Sequence, residues 1–292
     1  MQEKFLSLRF FLFTVIISSL ILILLFFLNY FDKSTTVVFC DVGQGDGAYI
    51  RVRNRFDIVI DAGPDRKMLS CLGKYMPFYD HKIELAFLSH PQKDHYGGFI
   101  PILDHYAIQT FVLSPINNPN HSFDELKSLL VSKKISIQPL YSGDSISILD
   151  ARISFLWPEK VFIQSHTKQD FTRFQDATVD LNEFSQIFRF DEKDTAVVFT
   201  GDIDPKIENL YLIKSYARLL KEPQTILKVP HHGSKNGLTR DFLKVIDPEI
   251  AVISVGKNNS YGHPSKEILG LLKSSNIQIR QTDKEGDIVY KF

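Results

Sequence analysis

Cysteine, tryptophan and methionine are scarce in this 292-residue chain, at two, one and three residues, and its formal net charge is zero. Cys40 and Cys71 can form one bridge at most. That excludes a disulfide-stapled scaffold and leaves open whether even the one bridge forms. The absence of a basic excess excludes the broad positive field of a typical nucleic-acid binder, although a local basic patch would vanish in the sum. Internal repeats and low-complexity tracts are also missing. With 44% hydrophobic and 23% charged residues, the chain has the composition of a packed globular protein. Its length admits one large domain or two ordinary ones.

Charge is missing altogether from Phe10 to Leu28, FFLFTVIISSLILILLFFL. A helix needs about 20 apolar residues to cross a hydrocarbon core, and a signal-peptide core has about 7–15 before a small-residue cleavage site. The run is longer than the second and ends in FFLNYF, so the expectation is an uncleaved transmembrane anchor over 10–31, after a short tail at 1–9. Lys4 and Arg9 precede it, while Asp32 and Lys33 follow. By about one charge this favours an extracytoplasmic C-terminal domain on a single-pass cell-membrane protein. The remaining residues, 34–292, carry a net charge of about −1.

That segment alternates strands and helices. Thr36–Cys40, Ala48–Val52, Phe56–Ile60 and Glu84–Leu88 have strand character, as do Ile146–Leu149, Ile153–Trp157, Gln186–Phe190, Thr195–Thr200, Ile226–Val229 and Ile250–Val255. Ser122 with Glu125 makes a capping box ahead of a helical apolar pattern. Asp204 and Pro205 open a helix running to about Leu220, and Pro264 opens another to about Ser274. No interior linker is evident. Two packed β-sheets with helices outside are predicted, as one α/β domain.

The chemistry-bearing residues sit where strands end. Asp61 follows DIVI, His90 follows LAFLS, Asp202 follows AVVFTG, His231 and His232 follow ILKVP, and His263 follows AVISVGKNNSYG. Metal ligands are lone-pair donors converging from several rigid segments, and this distribution fits that need. Each alone has a plainer explanation: an Asp after a strand commonly serves a turn, and His105, His121 and His166 have the setting of solvated loop residues. The clustering beside glycine and proline favours a metal site. In DVGQGD (residues 41–46), Asp41 and Asp46 either cap a tight turn or, for Asp46, support the metal edge. Lys235, after HHGS, either touches an anionic substrate or is simply solvated.

Six segments together, DVGQGD (41–46), IDAG (60–63), SHPQKDHYGG (89–98), TGD (200–202), KVPHHGS (228–234) and YGHP (261–264), resemble the ordered motifs of the metallo-β-lactamase superfamily. Within it they are most similar to the extracytoplasmic hydrolase domain of the ComEC competence DNA-uptake family. The resemblance spans about Thr36 to Phe292 and implies an αββα sandwich with its metal site at one edge. It implies His90, Asp94 and His95 as ligands, Asp202 as a bridging carboxylate and His263 as the last ligand of a second metal. Asp61 would orient a ligand imidazole from behind. Asp94, His231 and His232 would be catalytic, one of the two histidines meeting the substrate as proton donor or oxyanion contact.

Two departures accompany it. Gln92 stands where the HxHxDH pattern has its second histidine, and the middle histidine of the superfamily has no counterpart near Leu156–Pro158. Asp94, His95, Asp202 and His263 are therefore expected to form the firm site, with a second, oxygen-preferring site doubtful; Zn²⁺ or Mn²⁺ is the expected ion. ComEC proteins also carry a many-helix channel that this chain lacks, which makes a separate channel protein an implied partner. The leading expectation is a membrane-anchored phosphodiesterase or nuclease acting on DNA through hydroxide generated from metal-bound water. An envelope phosphodiesterase acting on another polymer, or a degenerate binding module, are the alternatives. A near-neutral domain mildly favours the former, and Gln92 the latter.

Overall fold

The computed structural model describes residues 2–168, 174–209 and 224–292. Strands β1 (Thr36–Phe39), β2 (Gly47–Val52), β3 (Phe56–Ala62), β4 (Lys82–Leu88), β5 (Ala107–Leu113) and β6 (Ser136–Gln138) join β14 (Ile288–Lys291) in one seven-stranded sheet. Its order is β14-β1-β2-β3-β4-β5-β6. The second sheet collects β7 (Ser145–Ile148), β8 (Ala151–Trp157), β9 (Ile187–Glu192), β10 (Thr195–Phe199), β11 (Thr225–Lys228), β12 (Ile250–Ile253) and β13 (Gln278–Gln281), in the order β13-β12-β11-β10-β9-β8-β7. Each sheet is half antiparallel and half parallel. Pairing changes to parallel at β3–β4 in the first and at β10–β11 in the second.

Three apolar clusters define four layers. Phe39, Phe87, Phe155, Phe188 and Phe199 meet between the sheets, with the Phe87–Phe188 and Phe188–Phe199 ring centroids both 5.1 Å apart. On the outer face of the first sheet pack α2 (Lys67–Tyr75), α4 (Phe99–His105) and α5 (His121–Ser132), through Leu72, Phe99 and Leu126. The helices Arg240–Ile246 and Lys266–Ser274 cover the second sheet through Phe242, Ile268 and Leu272. A two-sheet α/β sandwich is thus present, as the strand–helix pattern predicted.

Several local expectations shift. The α5 cap is Asn120, whose side chain accepts from the Ser122 amide, not Ser122 itself. Strands β5, β6, β13 and β14 were outside the sequence reading; AIQTFVL in β5 buries Ile108 and its last three residues but exposes Ala107 and Gln109, which blurs the pattern. The helix expected from Asp204 to about Leu220 lies mostly outside the described residues, which show its opening turn Pro205–Ile207 with the Asp204 carboxylate accepting from Lys206 and Ile207. Cys40, at the exit of β1, is bonded to Cys71 in α2.

The membrane expectation is corrected. Residues Gln2–Phe31 form one helix, α1, with apolar side chains such as Phe10, Leu20 and Leu24 exposed. Its side chains are described continuously only over residues 9–25, and part of the apolar run lies outside them. Among the described residues no helix is long and apolar enough to cross a membrane.

One buried carboxylate predicts a pH effect. Glu208 is fully buried, and its Oε2 accepts from the Thr239 amide at 2.7 Å. Burial raises its pKa to about 8 from an ordinary 4.5. Between those values the folded protein holds a proton that the unfolded chain has released, so stability is highest at low pH and falls as pH rises through the window. Glu208→Gln keeps the acceptor and removes the titration. Denaturant melts should show the parent losing about 3 kcal/mol more stability than the variant between pH 5 and pH 8.

Candidate metal centre

The parallel halves of the two sheets end at the same edge of the sandwich, and the loops leaving them carry the site. Just beyond β4 come Ser89 and His90, followed by α3 (Lys93–Tyr96), which holds Asp94 and His95. The DVGQGD loop supports this segment directly. A Cβ on Gly45, at φ +142, would lie 2.2 Å from the Asp94 carbonyl oxygen, and the Asp46 amide donates to that same oxygen at 3.2 Å. Glycine is required there by close backbone approach. After β11, His231 and His232 take φ of 49° and 53°, two successive left-handed residues without a glycine's freedom. Such backbone persists where surrounding contacts hold it, often at working sites. Here the His231 amide donates to the Gly201 carbonyl at 3.1 Å.

Asp94, His95, Asp202 and His232 each offer a ligand atom, all within 4.8 Å of one another. Asp202 is 1% exposed. Its Oδ2 lies 3.3 Å from both His95 Nε2 and His232 Nε2. His232 Nε2 is also 3.5 Å from Asp94 Oδ2. The rear of each imidazole is held. His95 Nδ1 meets Asp61 Oδ2 at 2.9 Å, while His232 Nδ1 meets the Ser254 carbonyl at 3.0 Å and Asp46 Oδ1 at 3.2 Å. Asp61 also accepts the Ser89 amide and hydroxyl at 2.8 and 2.7 Å. With Nδ1 occupied, Nε2 is the atom each ring presents.

His90 is buried, its ring centroid 4.2 Å from that of His95, with Ser89 Oγ 3.1 Å from its Nδ1. His263 lies at the rim, its ring centroid 5.8 Å from that of His231. His231 Nε2 is 3.9 Å from Asp202 Oδ2, and its side chain is partly exposed. Gln92 donates its amide to Asn182 Oδ1 at 2.6 Å. Lys235 is exposed and does not line the groove around the cluster. The arrangement thus seats His232, read from sequence as a substrate contact, inside the four-residue group, and His263 outside it.

The sequence reading passed over Lys228. It is 3% exposed, its ammonium paired with Asp46 and 3.9 Å from Asp202 Oδ1. A lysine beside Ile226 and Leu227 in the TILK strand, buried at every position, was the available signal, since buried lysines are rare unless paired.

Electrostatics favours a cation. Burial lowers the proton affinity of His95 and His232, yet Asp202 with Asp61 in the first case, and with Asp46 in the second, raises both well above the ordinary value. Asp202 is held far below the usual carboxylate range, against burial, by His232 and His95. Asp94 is likewise lowered against burial, by His232, whose Nε2 lies 3.5 Å from its Oδ2, and then by His95. His90 goes the other way: burial and then His95 hold it down to about 3, so it stays neutral. Burial, then His231, lowers His263. A pocket that draws protons onto two imidazoles draws a divalent ion for the same reason, with proton release on binding. Among the described residues, the buried Nε2 atoms of His90, His95 and His232 and the buried Asp202 Oδ1 have no hydrogen-bond partner. Two imidazoles, two carboxylates and orphaned ring nitrogens fit a divalent metal.

Residues 41–257 match the metallo-beta-lactamase superfamily. The chain belongs to that superfamily. Its fold and ligand group make it a metal-dependent hydrolase of that fold. Among curated relatives of this superfamily member, "ComE operon protein 3" of Bacillus subtilis is 26% identical over 93% of this chain and 35% of its own length. "Competence protein ComA" of Neisseria gonorrhoeae is 30% identical over 38% of this chain and 16% of its own length. The chain therefore spans about a third or less of the curated relatives it matches. The resemblance to the ComEC family is supported by these relatives. Of solved structures, the metallo-beta-lactamase fold protein YhfI from Bacillus subtilis aligns with a TM-score of 0.57 at 12% identity, over 89% of this chain and 100% of that one, which shows the shared fold.

Proposed function

We propose that this superfamily member hydrolyses phosphodiesters, with DNA as the substrate, and that Asp94, His95, Asp202 and His232 hold the firmer ion. The observation that carries the reading is the convergence of those four ligand atoms within 4.8 Å at a groove of about 470 Å³ that Lys67 and Lys93 also line. The competence name of one relative supports DNA and a role in its uptake, with a separate channel-forming chain as partner. A divalent ion held by Asp94, His95, Asp202 and His232 would bring the pKa of water toward neutrality and polarise a phosphoryl oxygen. Asp61 and Asp46 fix the imidazoles from behind. Lys228 neutralises Asp46. His231, partly exposed on the groove wall, is positioned to protonate the leaving alkoxide, a transfer worth about 10²–10⁴-fold in rate. His90, buried beside His95, and His263, at the rim, are proposed for a second and weaker ion.

His231→Ala tests this division. Turnover should fall about 100-fold or more on an alkyl-linked dinucleotide, and only several-fold on bis(4-nitrophenyl) phosphate, whose leaving group needs no proton. Equal losses on both substrates would remove His231 from the donor role.

Gln92 is tested by metal content. Its amide nitrogen is committed to Asn182, so Gln92→Ala should retain nearly all the metal that His95→Ala loses. Gln92→Asp should add a charged oxygen ligand and raise Mn²⁺ content, and Gln92→His should move preference toward Zn²⁺. Unchanged metal content in both would place residue 92 away from any ion.

A further inference from the structure

The groove has an aromatic wall that hydrolysis does not require. Tyr261 lines it and is 70% exposed. Its ring lies nearly parallel to that of His263, at 28° with centroids 5.7 Å apart. The loop bearing it is held: the Asn259 side chain accepts from the His263 amide at 3.0 Å and donates to the His263 carbonyl at 2.7 Å. One tyrosine face is therefore turned to the His263 ring on a pinned loop, and the rest of the ring is open to solvent in the groove. Lys67, also lining the groove, sits over the DVGQGD loop, where a Cβ on Gly43 would lie 2.7 Å from Nζ. The Gly43 position, at φ +80, leaves room for that ammonium. Lys93, at the start of α3, adds a second cation to the lining.

We infer that Tyr261 is a base-stacking platform, with Lys67 and Lys93 holding the flanking phosphates, so that the substrate is a single-stranded nucleic acid whose bases are free to leave the stack. The inference rests on the phosphodiesterase reading and narrows its substrate. A paired duplex keeps its base faces covered. A glycerol- or ribitol-phosphate polymer has the phosphates but nothing to stack. Base–aromatic stacking and backbone-tracking cations are the general means by which proteins hold single strands without reading sequence. About 470 Å³ accommodates a nucleotide-sized group beside the ligand cluster.

The test uses the full chain, with metal chelated so that nothing is cleaved, and fluorescence anisotropy of an end-labelled oligothymidylate and an abasic oligomer of equal length. The parent should bind the thymidylate about tenfold or more tighter than the abasic strand. Tyr261→Ala should erase that difference by weakening thymidylate alone, and Tyr261→Phe should restore it. Lys67→Gln should weaken both strands alike and lower the salt dependence by about one ion. Equal affinity of the parent for the two strands overturns the inference, as does a Tyr261→Ala loss shared by both. A parallel assay of bis(4-nitrophenyl) phosphate with Mn²⁺ keeps the two readings separate. Cleavage without base preference sinks the stacking platform alone. Base preference without cleavage of any phosphodiester leaves Tyr261 as a binding site and sinks the hydrolase reading.

Discussion

Asp202→Ala is expected to release the bound metal and reduce hydrolysis by about 10³-fold. Asp202 is the hub of the cluster: its Oδ2 stands 3.3 Å from both imidazole nitrogens presented into the site, and its amide is itself fixed by Ser185 Oγ at 3.1 Å. Removing it leaves His95 and His232 facing each other with one fewer negative charge to attract an ion. Since a bound metal contributes several kcal/mol to charge stabilisation and each 1.36 kcal/mol is tenfold, three orders of magnitude is the scale of the loss. Metal content measured on the purified variant, beside turnover on a phosphodiester, checks the result. His263→Ala should lose much less metal, because its ring lies at the rim outside the four-atom group. A His263→Ala loss as large as that of Asp202→Ala would move the firm site outward.

Breaking the Cys40–Cys71 bridge should lower stability by about 4 kcal/mol. The bridge closes a loop of sequence separation 31, and loop-closure entropy for that length gives this magnitude. For a domain of this size the melting temperature should drop about 5–10 °C in Cys40→Ser/Cys71→Ser or under reductant. The effect should extend to the metal. Cys40 directly precedes the DVGQGD loop, whose Gly45 and Asp46 contact the backbone of Asp94. A bridge-free variant should therefore bind metal more weakly even at temperatures where it remains folded, as isothermal titration would show. An unchanged metal affinity would confine the bridge to global stability.

How much was legible in the sequence depends on how local the cause is. SHPQKDHYGG reads as a ligand segment because His90, Asp94 and His95 lie within six residues, and the structure brings His90 and His95 into ring contact and Asp94 and His95 into one ligand group. His232 is different. Its place depends on a left-handed turn at 231 and 232 and on acceptors from Ser254 and Asp46, none of which periodicity encodes. Lys228 went unnoticed because its partner Asp46 lies far away in the chain. The bridge was undecidable because a cysteine pair reveals no distance between its members. Strands were legible where burial is continuous, as in TAVVF, or alternates, as in ARISFLW, and AIQTFVL, which keeps to neither pattern, was lost. For α1 the sequence showed length and apolarity, and the expected anchor did not survive the described helix.

The first and last strands of the sandwich are neighbours. Thr36 pairs with Lys291 and Phe39 with Ile288, and the Thr35 and Phe292 backbones exchange hydrogen bonds at 2.8 and 3.0 Å. Chain entering and chain leaving thus meet at one seam. A unit whose two joints coincide can be set into a longer polypeptide like a cassette, since the host chain is interrupted at a single point and need not be spread to admit it. The ligand cluster lies at the loops following β4, β10 and β11, whereas the seam closes on the starting end of β1.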